Sequence, residues 1–294
     1  MDRRILITGA ASGLGRALAR AAADDGARVL LTDRDAAAGE LARLELAERL
    51  RERGGNPDRV AFLALDVRDD AAWDGAREWC AEHWGGLDVL VNNAGVAAAG
   101  PIADIPMADW DWILDINLKG AIRGVRTFVP MFEAQGAGHV VNIASLAGLM
   151  NLGNMASYNV TKAGVISLSE TMRCELEPLG IRTTVVCPSF FATNLADTMR
   201  TTDPAFEVMA RQAIAGDLFP GPKLTADDVA RKVLRAVDRR KFLLLPHIET
   251  RLLYAMKRLA PTPFAKGLAA ANQLVQKRFG TNSAGRLRAT GRMR

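Results

Sequence analysis

The chain has few cysteines and no long apolar run. The first feature argues against a disulfide-stabilised protein, and the second argues against a membrane-spanning one. Its three cysteines, Cys80, Cys174 and Cys187, are odd in number and show no C-x-x-C spacing. A disulfide framework is therefore not expected, and we predict reduced core thiols in a cytoplasmic protein without a metal site. No apolar run approaches the roughly 20 residues that span a bilayer. The first predicted strand begins by Arg4, so no signal peptide is expected either.

Acidic residues are nearly absent from the C-terminal part of the chain. Residues 239–294 carry 13 Lys or Arg against one Asp or Glu, whereas residues 1–238 carry 25 against 32. The formal net charge of +5 therefore arises from the tail. With 294 residues and 49% hydrophobic content, the chain is long enough for one large domain followed by an appendage.

Short apolar runs alternate with longer segments of helical periodicity. Seven runs are candidate strands: Ile5–Thr8, Arg28–Thr32, Val60–Leu65, Val89–Asn92, Val140–Ala144, Thr183–Cys187 and Phe242–Leu245. The predicted helices between and after them are residues 13–25, 36–53, 70–84, 108–135, 157–177 and 226–239. Because the strands are nearly continuous in apolar residues and separated by helices, the pattern predicts an α/β fold with a doubly wound, seven-stranded parallel sheet and helices on both faces.

A glycine-rich turn joins the first predicted strand to the first helix. Such a turn lets backbone N–H groups approach a pyrophosphate at the positive end of the helix, although a glycine turn without a ligand is the alternative. Asp33 ends the second strand, where a carboxylate accepts hydrogen bonds from ribose hydroxyls and repels a 2′-phosphate. NAD is therefore favoured, and the neighbouring Arg34 keeps NADP as the alternative. The candidate residues of the turn are Thr8, Gly9, Ala11, Ser12, Gly13, Leu14 and Gly15.

Tyr158 and Lys162 lie four residues apart in the predicted helix 157–177. This spacing puts both side chains on one face, where the ammonium group favours the ionised phenol and so lowers its pKa. The pair is a candidate proton donor and acceptor near neutral pH. Taken alone the spacing is weak, because such pairs occur by chance in many helices.

Several motifs occur together and in order: Thr-Gly-x-x-x-Gly-x-Gly, the Asn92–Gly95 run, Asn117, Ser145 and Tyr158-x-x-x-Lys162. With them the chain resembles the short-chain dehydrogenase/reductase family over about residues 4–246. The resemblance implies a Rossmann-like catalytic domain over residues 1–246 and an NAD(P)(H)-dependent oxidoreductase that interconverts a secondary alcohol and a ketone. Further cofactor contacts implied by the resemblance are Asp66, Val67, Asn93, Ala94, Gly95, Tyr158, Lys162, Pro188 and Thr193.

The family also implies catalytic roles. Tyr158 is the acid/base, Lys162 lowers its pKa and holds the nicotinamide ribose, and Ser145 holds the substrate oxygen. Asn117 anchors a water chain from Lys162, where its alternative is an interhelical asparagine. A homodimer or homotetramer that pairs helices 108–135 and 157–177 is expected. Two other functions stay open: an NADPH-dependent carbonyl reductase and a non-catalytic dinucleotide sensor or scaffold.

The substrate side is predicted to be apolar. Residues 189–224 lie where the family builds its substrate lid, and Pro188-Ser189 departs from the family's usual Pro-Gly. An apolar lid favours a hydrophobic alcohol or ketone, with packing against the body or a neighbouring subunit as the alternative. The candidate substrate contacts are Ser145, Ala147, Phe190 and Phe191. Further candidates for the lid or the wall are Val96, Leu146, Met150, Leu195, Met199, Phe206, Met209 and Phe219.

Residues 247–280 are predicted to form a basic, amphipathic helical extension. Residues 248–259 and 264–279 have helical patterns separated by Pro261 and Pro263, and residues 281–294 are expected to be disordered. The apolar stripe of the first helix either caps the enzyme's own core or substrate mouth, or lies on an anionic membrane surface. No nucleic-acid partner is expected, because no stacking platform accompanies the arginines.

Overall fold

A computed structural model describes residues 2–189, 199–201, 208 and 224–279. All seven predicted strands form one parallel sheet of order β3-β2-β1-β4-β6-β7-β9. Its strands are β1 (Arg4–Thr8), β2 (Arg28–Asp33), β3 (Val60–Ala64), β4 (Val89–Asn92), β6 (Gly138–Ile143), β7 (Ile181–Val186) and β9 (Leu243–Leu244). The predicted α/β fold, Rossmann-like and doubly wound, is confirmed.

Helices cover both faces of the sheet, as predicted. The helices are α1 (Gly13–Asp24), α2 (Ala36–Glu52), α3 (Asp70–Trp84), α4 (Met107–Leu114), α5 (Gly120–Gln135), α6 (Leu146–Met150), α7 (Ala156–Leu176), α8 (Ala226–Asp238), α9 (Ile248–Leu259) and α10 (Pro261–Phe279). In β1, Ile5 and Ile7 pack toward α1, α2 and α8, whereas Leu6 packs toward α3, α5 and α7. This alternation explains why the strands are apolar on both sides.

The predicted helix 108–135 is interrupted by a π-helical turn, Asp115–Lys119. Asn117 lies at the centre of this turn and is 2% exposed. Its amide hydrogen-bonds the backbone of Val96 in both directions, at 2.8 and 2.9 Å. The wider turn therefore points a buried asparagine at the segment after β4, in keeping with the tendency of π turns to occur at functional sites.

Two short strands that the sequence did not predict form a second sheet. β5 (Ala98–Ala99) pairs in parallel with β8 (Arg200–Thr201). Arg200 is fixed there, since its guanidinium stacks 4.0 Å from the Trp112 ring centroid and pairs with Asp109 at 2.8 Å. The sheet ties residues 199–201 to the body next to α4.

The C-terminal extension forms the two expected helices, although the second begins at Pro261 and not at Phe264. Proline is tolerated in a first helical turn because its missing N–H would be unpaired there anyway. Leu253 and Tyr254 of α9 pack on the body. Four other apolar residues of α9, by contrast, are 49–86% exposed: Ile248, Leu252, Met256 and Leu259. The prediction that the apolar stripe covers the protein's own core is therefore confirmed for Leu253. It is wrong for the other four residues of the stripe, which are exposed.

Cys80 and Cys187 are buried free thiols, as expected, but Cys174 is exposed on the outer face of α7. Among the residues that the structure describes, no helix is long and apolar enough to cross a membrane. The predictions for Phe190, Phe191 and Thr193, for most of the lid and for residues 281–294 lie outside the described residues.

Candidate active site

The carboxyl ends of the central strands open into one cleft of about 480 Å³. It extends from the turn after β1, past the ends of β2, β3 and β4, to the segments that follow β6 and β7. The strand order reverses between β1 and β4, and parallel sheets place ligands at such a switch point.

The glycine turn shapes one wall of this cleft. Gly9 and Gly13 adopt positive φ angles of 65° and 53°, which side chains rarely tolerate. A Cβ at Gly15 would lie 2.6 Å from the Asn93 amide nitrogen, so only glycine fits between the turn and the run after β4. Ser12 begins α1 without a side-chain cap, and the first turn of α1 contains no acidic residue.

The start of α1 has no side-chain cap, as is also true of α4, α7 and α9. Helices α2, α3 and α8 each receive a side-chain cap, from Asp35, Asp69 and Thr225 respectively. The first-turn N–H groups of α1 receive none, and Ser12, Gly13 and Leu14 line the cleft. Backbone donors at the positive end of a helix fit a pyrophosphate group.

Thr8 and Asn93 hold the turn against the run after β4. The Thr8 hydroxyl accepts from the backbone N–H groups of Asn93 and Ala94, both at 3.0 Å. The Asn93 side chain donates to the Thr8 carbonyl at 2.8 Å. Asn93, Ala94 and Gly95 line the cleft, whereas Thr8 and Gly15 lie behind its wall.

Acidic and basic groups meet at the end of the cleft formed by β2 and β3. The Asp33 carboxylate lines it and accepts from the Ala11 N–H at 3.1 Å. Asp66 also lines it, and hydrogen bonds from Arg68 hold the pKa of Asp66 below its usual value. Arg34 and Arg68 are exposed and line the same end. Sequence reasoning missed Arg68, whose only signal was its position two residues after Asp66.

Tyr158, Ser145 and Lys162 come together at the other end. Tyr158 is 7% and Lys162 is 4% exposed, and both line the cleft with Ser145. Lys162 Nζ lies 5.8 Å from the Tyr158 ring centroid and donates to the Ile143 carbonyl at 2.9 Å. The Ser145 hydroxyl caps α6 by accepting from the Ala147 N–H at 3.1 Å, and it hydrogen-bonds Tyr158 as well.

Burial shifts the pKa values of both Tyr158 and Lys162. Burial raises the pKa of Tyr158, and the hydrogen bond with Ser145 offsets this in part. Burial also lowers the pKa of Lys162, to about 8. The net shift of the Tyr158 pKa in the ligand-free chain is therefore opposite to the expected lowering, because the desolvation of the phenol is the largest effect. That Lys162 favours the phenolate stays a prediction.

Asn117 supports this end without lining it. Besides its bonds to Val96, it donates to the Thr161 hydroxyl at 3.2 Å, and Thr161 precedes Lys162 on α7. A Cβ at Gly95 would lie 3.2 Å from Asn117 Oδ1 and 3.4 Å from Lys162 Nζ. The glycine thus keeps a narrow space between the two polar groups and the cleft.

The wall beyond Tyr158 is mostly apolar. Of the residues predicted for it, Val96, Leu146, Ala147 and Met199 line the cleft, while Met150 is buried in the core behind it. Pro188 and Ser189 line it as well. Sequence reasoning missed several wall residues that carry no signal beyond being apolar, among them Ile116, Leu152 and Met155.

Comparison with known proteins gives consistent matches. Residues 3–204 match the family model described as short chain dehydrogenase. The chain is 31% identical over 263 residues to a CLA biosynthesis dehydrogenase/reductase of Lactiplantibacillus plantarum, covering 84% of this chain and 89% of that protein. It is 34% identical over 192 residues to a 3-alpha-(or 20-beta)-hydroxysteroid dehydrogenase of Mycobacterium tuberculosis, covering 65% and 70% of the two chains.

A solved structure agrees with these matches. A short chain dehydrogenase/reductase from Burkholderia phymatum, crystallised in complex with NAD, superimposes with a TM-score of 0.75 at 32% identity. The superposition covers 88% of this chain and 95% of that one.

Proposed function

Because this chain belongs to the short-chain dehydrogenase family, we propose that it is an NAD(H)-preferring oxidoreductase that interconverts an apolar secondary alcohol and a ketone. The observation that carries the proposal is the single cleft that joins the uncapped start of α1 to Tyr158, Ser145 and Lys162. The end at α1 is suited to the pyrophosphate of a dinucleotide. The other end supplies Tyr158 as a proton donor beside the Ser145 hydroxyl.

A nicotinamide dinucleotide in the cleft would supply the hydride chemistry. Tyr158 protonates the developing alkoxide during reduction and accepts the alcohol proton during oxidation. Ser145 hydrogen-bonds the substrate oxygen at the same point, which stabilises the charge that develops there. Lys162, charged below its pKa of about 8, attracts the phenolate and holds a ribose hydroxyl. Asn117 positions α7 through Thr161.

The adenosine end supports NAD(H). Asp33 lines the cleft at the end of β2 and accepts a hydrogen bond from Ala11, and a carboxylate at this position would accept hydrogen bonds from the ribose hydroxyls of NAD. An ionised carboxylate at this point repels a 2′-phosphate. The proposed adenine contacts are Asp66 and Val67, which line the next part of the wall.

NADPH use is the second candidate, and the positions of Arg34 and Arg68 favour it. Both guanidinium groups are exposed at the adenosine end of the cleft, where they would attract a 2′-phosphate. Arg68 is already paired with Asp66 at 2.6 Å, which reduces what it offers to a ligand. We therefore rank NADPH below NADH.

Titration with NADH and NADPH by fluorescence tests the cofactor, and a panel of apolar ketones with the tighter cofactor tests the reaction. We expect NADH to bind more tightly and at least one apolar ketone to be reduced. Tighter NADPH binding would contradict the role given to Asp33. Cofactor binding without turnover on any ketone would favour the dinucleotide sensor.

The wall residues and one relative support an apolar substrate. Val96, Leu146, Leu152 and Met155 surround the space beyond Tyr158, and no Lys or Arg other than Lys162 lines this end among the described residues. The relative named above is a hydroxysteroid dehydrogenase, so ketosteroids belong in the panel.

The exposed stripe of α9 (Ile248, Leu252, Met256 and Leu259) supports contact with an anionic membrane surface. Its spacing places the four side chains on one face of a helix within the strongly basic part of the chain. Leu252→Glu is expected to reduce flotation with anionic vesicles, whereas Leu41→Glu, at an apolar residue exposed to 57% on α2, is not. Equal flotation of the wild type with anionic and zwitterionic vesicles would end this proposal.

We also propose that the protein is a homodimer or homotetramer. Its subunits would pair across a two-fold axis through two long helical segments, the one that runs from α4 through α5 and the one formed by α7. Val160 supports this, because it is 49% exposed on α7 beside the candidate site. Light scattering of the wild type and of Val160→Glu tests the proposal. A monomeric wild type, or an oligomer that Val160→Glu leaves intact, would contradict it.

A further inference from the structure

Besides Val96, Ile116 and Met199, three backbone segments line the substrate side of the cleft. They are α6, whose Leu146 and Ala147 line the cleft, the loop 151–155 that leads into α7, and the Pro188-Ser189 pair after β7. None of them belongs to the sheet. Their positions must therefore be fixed by contacts from other parts of the chain.

The C-terminal extension contacts all three segments. His247 Nδ1 accepts from the Ser189 N–H at 3.2 Å. Lys257 of α9 donates to the Leu149 carbonyl near the end of α6. Asn272 of α10 lies against Gly153 in the loop.

Apolar packing reinforces these polar contacts. Leu253 and Tyr254 of α9 and Phe264 of α10 pack on the core cluster that contains Leu146 and Leu149. The same cluster includes Cys187, which directly precedes the Pro188-Ser189 pair. The extension therefore packs on the back of the segments whose front lines the cleft.

The approach of Asn272 to Gly153 leaves no room for a side chain at this position. A Cβ at this glycine would lie 2.6 Å from Asn272 Nδ2, closer than real side chains approach. The loop also contains two asparagines with positive φ, Asn151 at 58° and Asn154 at 59°. Asn154 holds the loop from the other side, since its carbonyl accepts from the Gly100 N–H at 2.8 Å. The loop is thus held between the body and α10.

We propose that residues 247–274 are a structural part of the substrate site, and that Asn272 positions the loop 151–155 through its contact with Gly153. The inference rests on the proposed function only for the identity of the substrate. Asn272 is a positioning residue, because it touches the wall and not the reacting atoms. A tight Gly153 contact sets how far Leu152 and Met155 project into the cleft, and so the size of ketone that fits.

A double-mutant cycle tests this proposal. Gly153→Ala is expected to raise KM for the best ketone about tenfold, since a displaced wall misplaces the substrate. In the Asn272→Ala background the same substitution is expected to change KM by less than about twofold, because the obstructing amide is gone. Gly267→Ala is the matched control, since a Cβ at this α10 glycine meets open space.

Two further readouts separate positioning from simple loss of stability. Kd for NADH is expected to stay within about twofold in all variants, because Gly153, Asn272 and Gly267 do not line the part of the cleft formed by the turn after β1 and the ends of β2 and β3. Hydrogen exchange of residues 146–155 is expected to become faster in Gly153→Ala and in Asn272→Ala, and to be unchanged in Gly267→Ala. If Gly153→Ala does not fold, Asn272→Ala alone supplies the exchange and KM measurements.

The exchange experiment needs no turnover, so it separates this inference from the proposed function. Unchanged exchange in both variants would overturn the positioning role, even if the protein reduces ketones. An equal effect of Gly153→Ala with and without the Asn272 side chain would overturn it too. Absence of turnover with altered exchange would count against the proposed function alone.

Discussion

Replacing Lys162 by methionine should stabilise the ligand-free protein while it abolishes activity. Burial lowers the pKa of Lys162 from 10.5 to about 8, so the folded state holds this proton less tightly than the unfolded state. At about 1.4 kcal/mol per pKa unit, burying the ammonium group costs about 3 kcal/mol of stability at neutral pH. The variant also loses the hydrogen bond to the Ile143 carbonyl, which destabilises it by about 1 kcal/mol. Lys162→Met should therefore be more stable than the wild type by about 2 kcal/mol.

The stability gain of Lys162→Met must decrease as the pH rises. For a cation whose folded pKa is lowered, the cost is fully present below the folded value of about 8 and fades as pH rises toward the unfolded value of 10.5. By pH 9.5 the advantage of Lys162→Met should shrink by about 2 kcal/mol, to nearly zero. Below pH 8 the variant should melt about 4 °C above the wild type.

Urea denaturation at pH 7 and pH 9.5 measures this directly, with Lys119→Met at an exposed lysine as the control. The control should show neither a gain of this size nor its pH dependence. A Lys162→Met protein that is less stable than wild type at pH 7, or a gain that stays constant up to pH 9.5, would refute the reasoning.

Three other substitutions or reactions have defined outcomes. Asp33→Asn should raise Kd for NADH about tenfold and reduce the discrimination against NADPH, measured by fluorescence titration; an unchanged ratio would contradict the proposed ribose contact. Gly15→Ala should destabilise the protein by about 1–3 kcal/mol and weaken NADH binding, whereas Gly75→Ala, where a Cβ meets open space, should do neither. A thiol reagent should modify Cys174 rapidly in the native protein and the two buried cysteines only after unfolding, since burial raises the pKa of both buried thiols to about 12. Rapid modification of all three would show that the core is open.

Much of the fold could be predicted because its signal is local. Each strand of the large sheet is an apolar run between turn residues, and each was found within two residues of its predicted ends. The strand ends differ most at β6 and β7, where His139 and Arg182 interrupt the apolar pattern but continue the parallel ladder. Hydrogen bonds to a neighbouring strand extend an element beyond its hydrophobic run.

The elements that sequence reasoning missed are short or depend on distant contacts. β5 and β8 have two residues each, and α6 has five, so none is long enough to show a period. The π turn around Asn117 is set by hydrogen bonds to Val96 across the cleft wall. The contacts of the extension with Leu149 and Gly153 join residues more than a hundred positions apart, so no local sequence pattern predicts them.

The candidate site follows the same division. The family resemblance carried by the glycine turn, Ser145, Tyr158 and Lys162 implied one site. Most of the turn lines one cleft with Asp33, Ser145, Tyr158 and Lys162, whereas Thr8 and Gly15 lie behind its wall. The pKa shifts were not predictable, because they depend on how deeply each group is buried. Sequence alone suggested a tyrosine activated by its lysine, whereas burial opposes the ionisation of both side chains in the ligand-free chain.

The central claim is that Tyr158 carries the proton of a ketone reduction in this cleft. Its most direct test is Tyr158→Phe, which removes only the hydroxyl of a side chain that is 7% exposed. With a ketone that the wild type reduces, we expect kcat to fall by about a thousandfold or more while Kd for NADH stays within about twofold. Turnover by Tyr158→Phe near the wild-type rate would contradict the account.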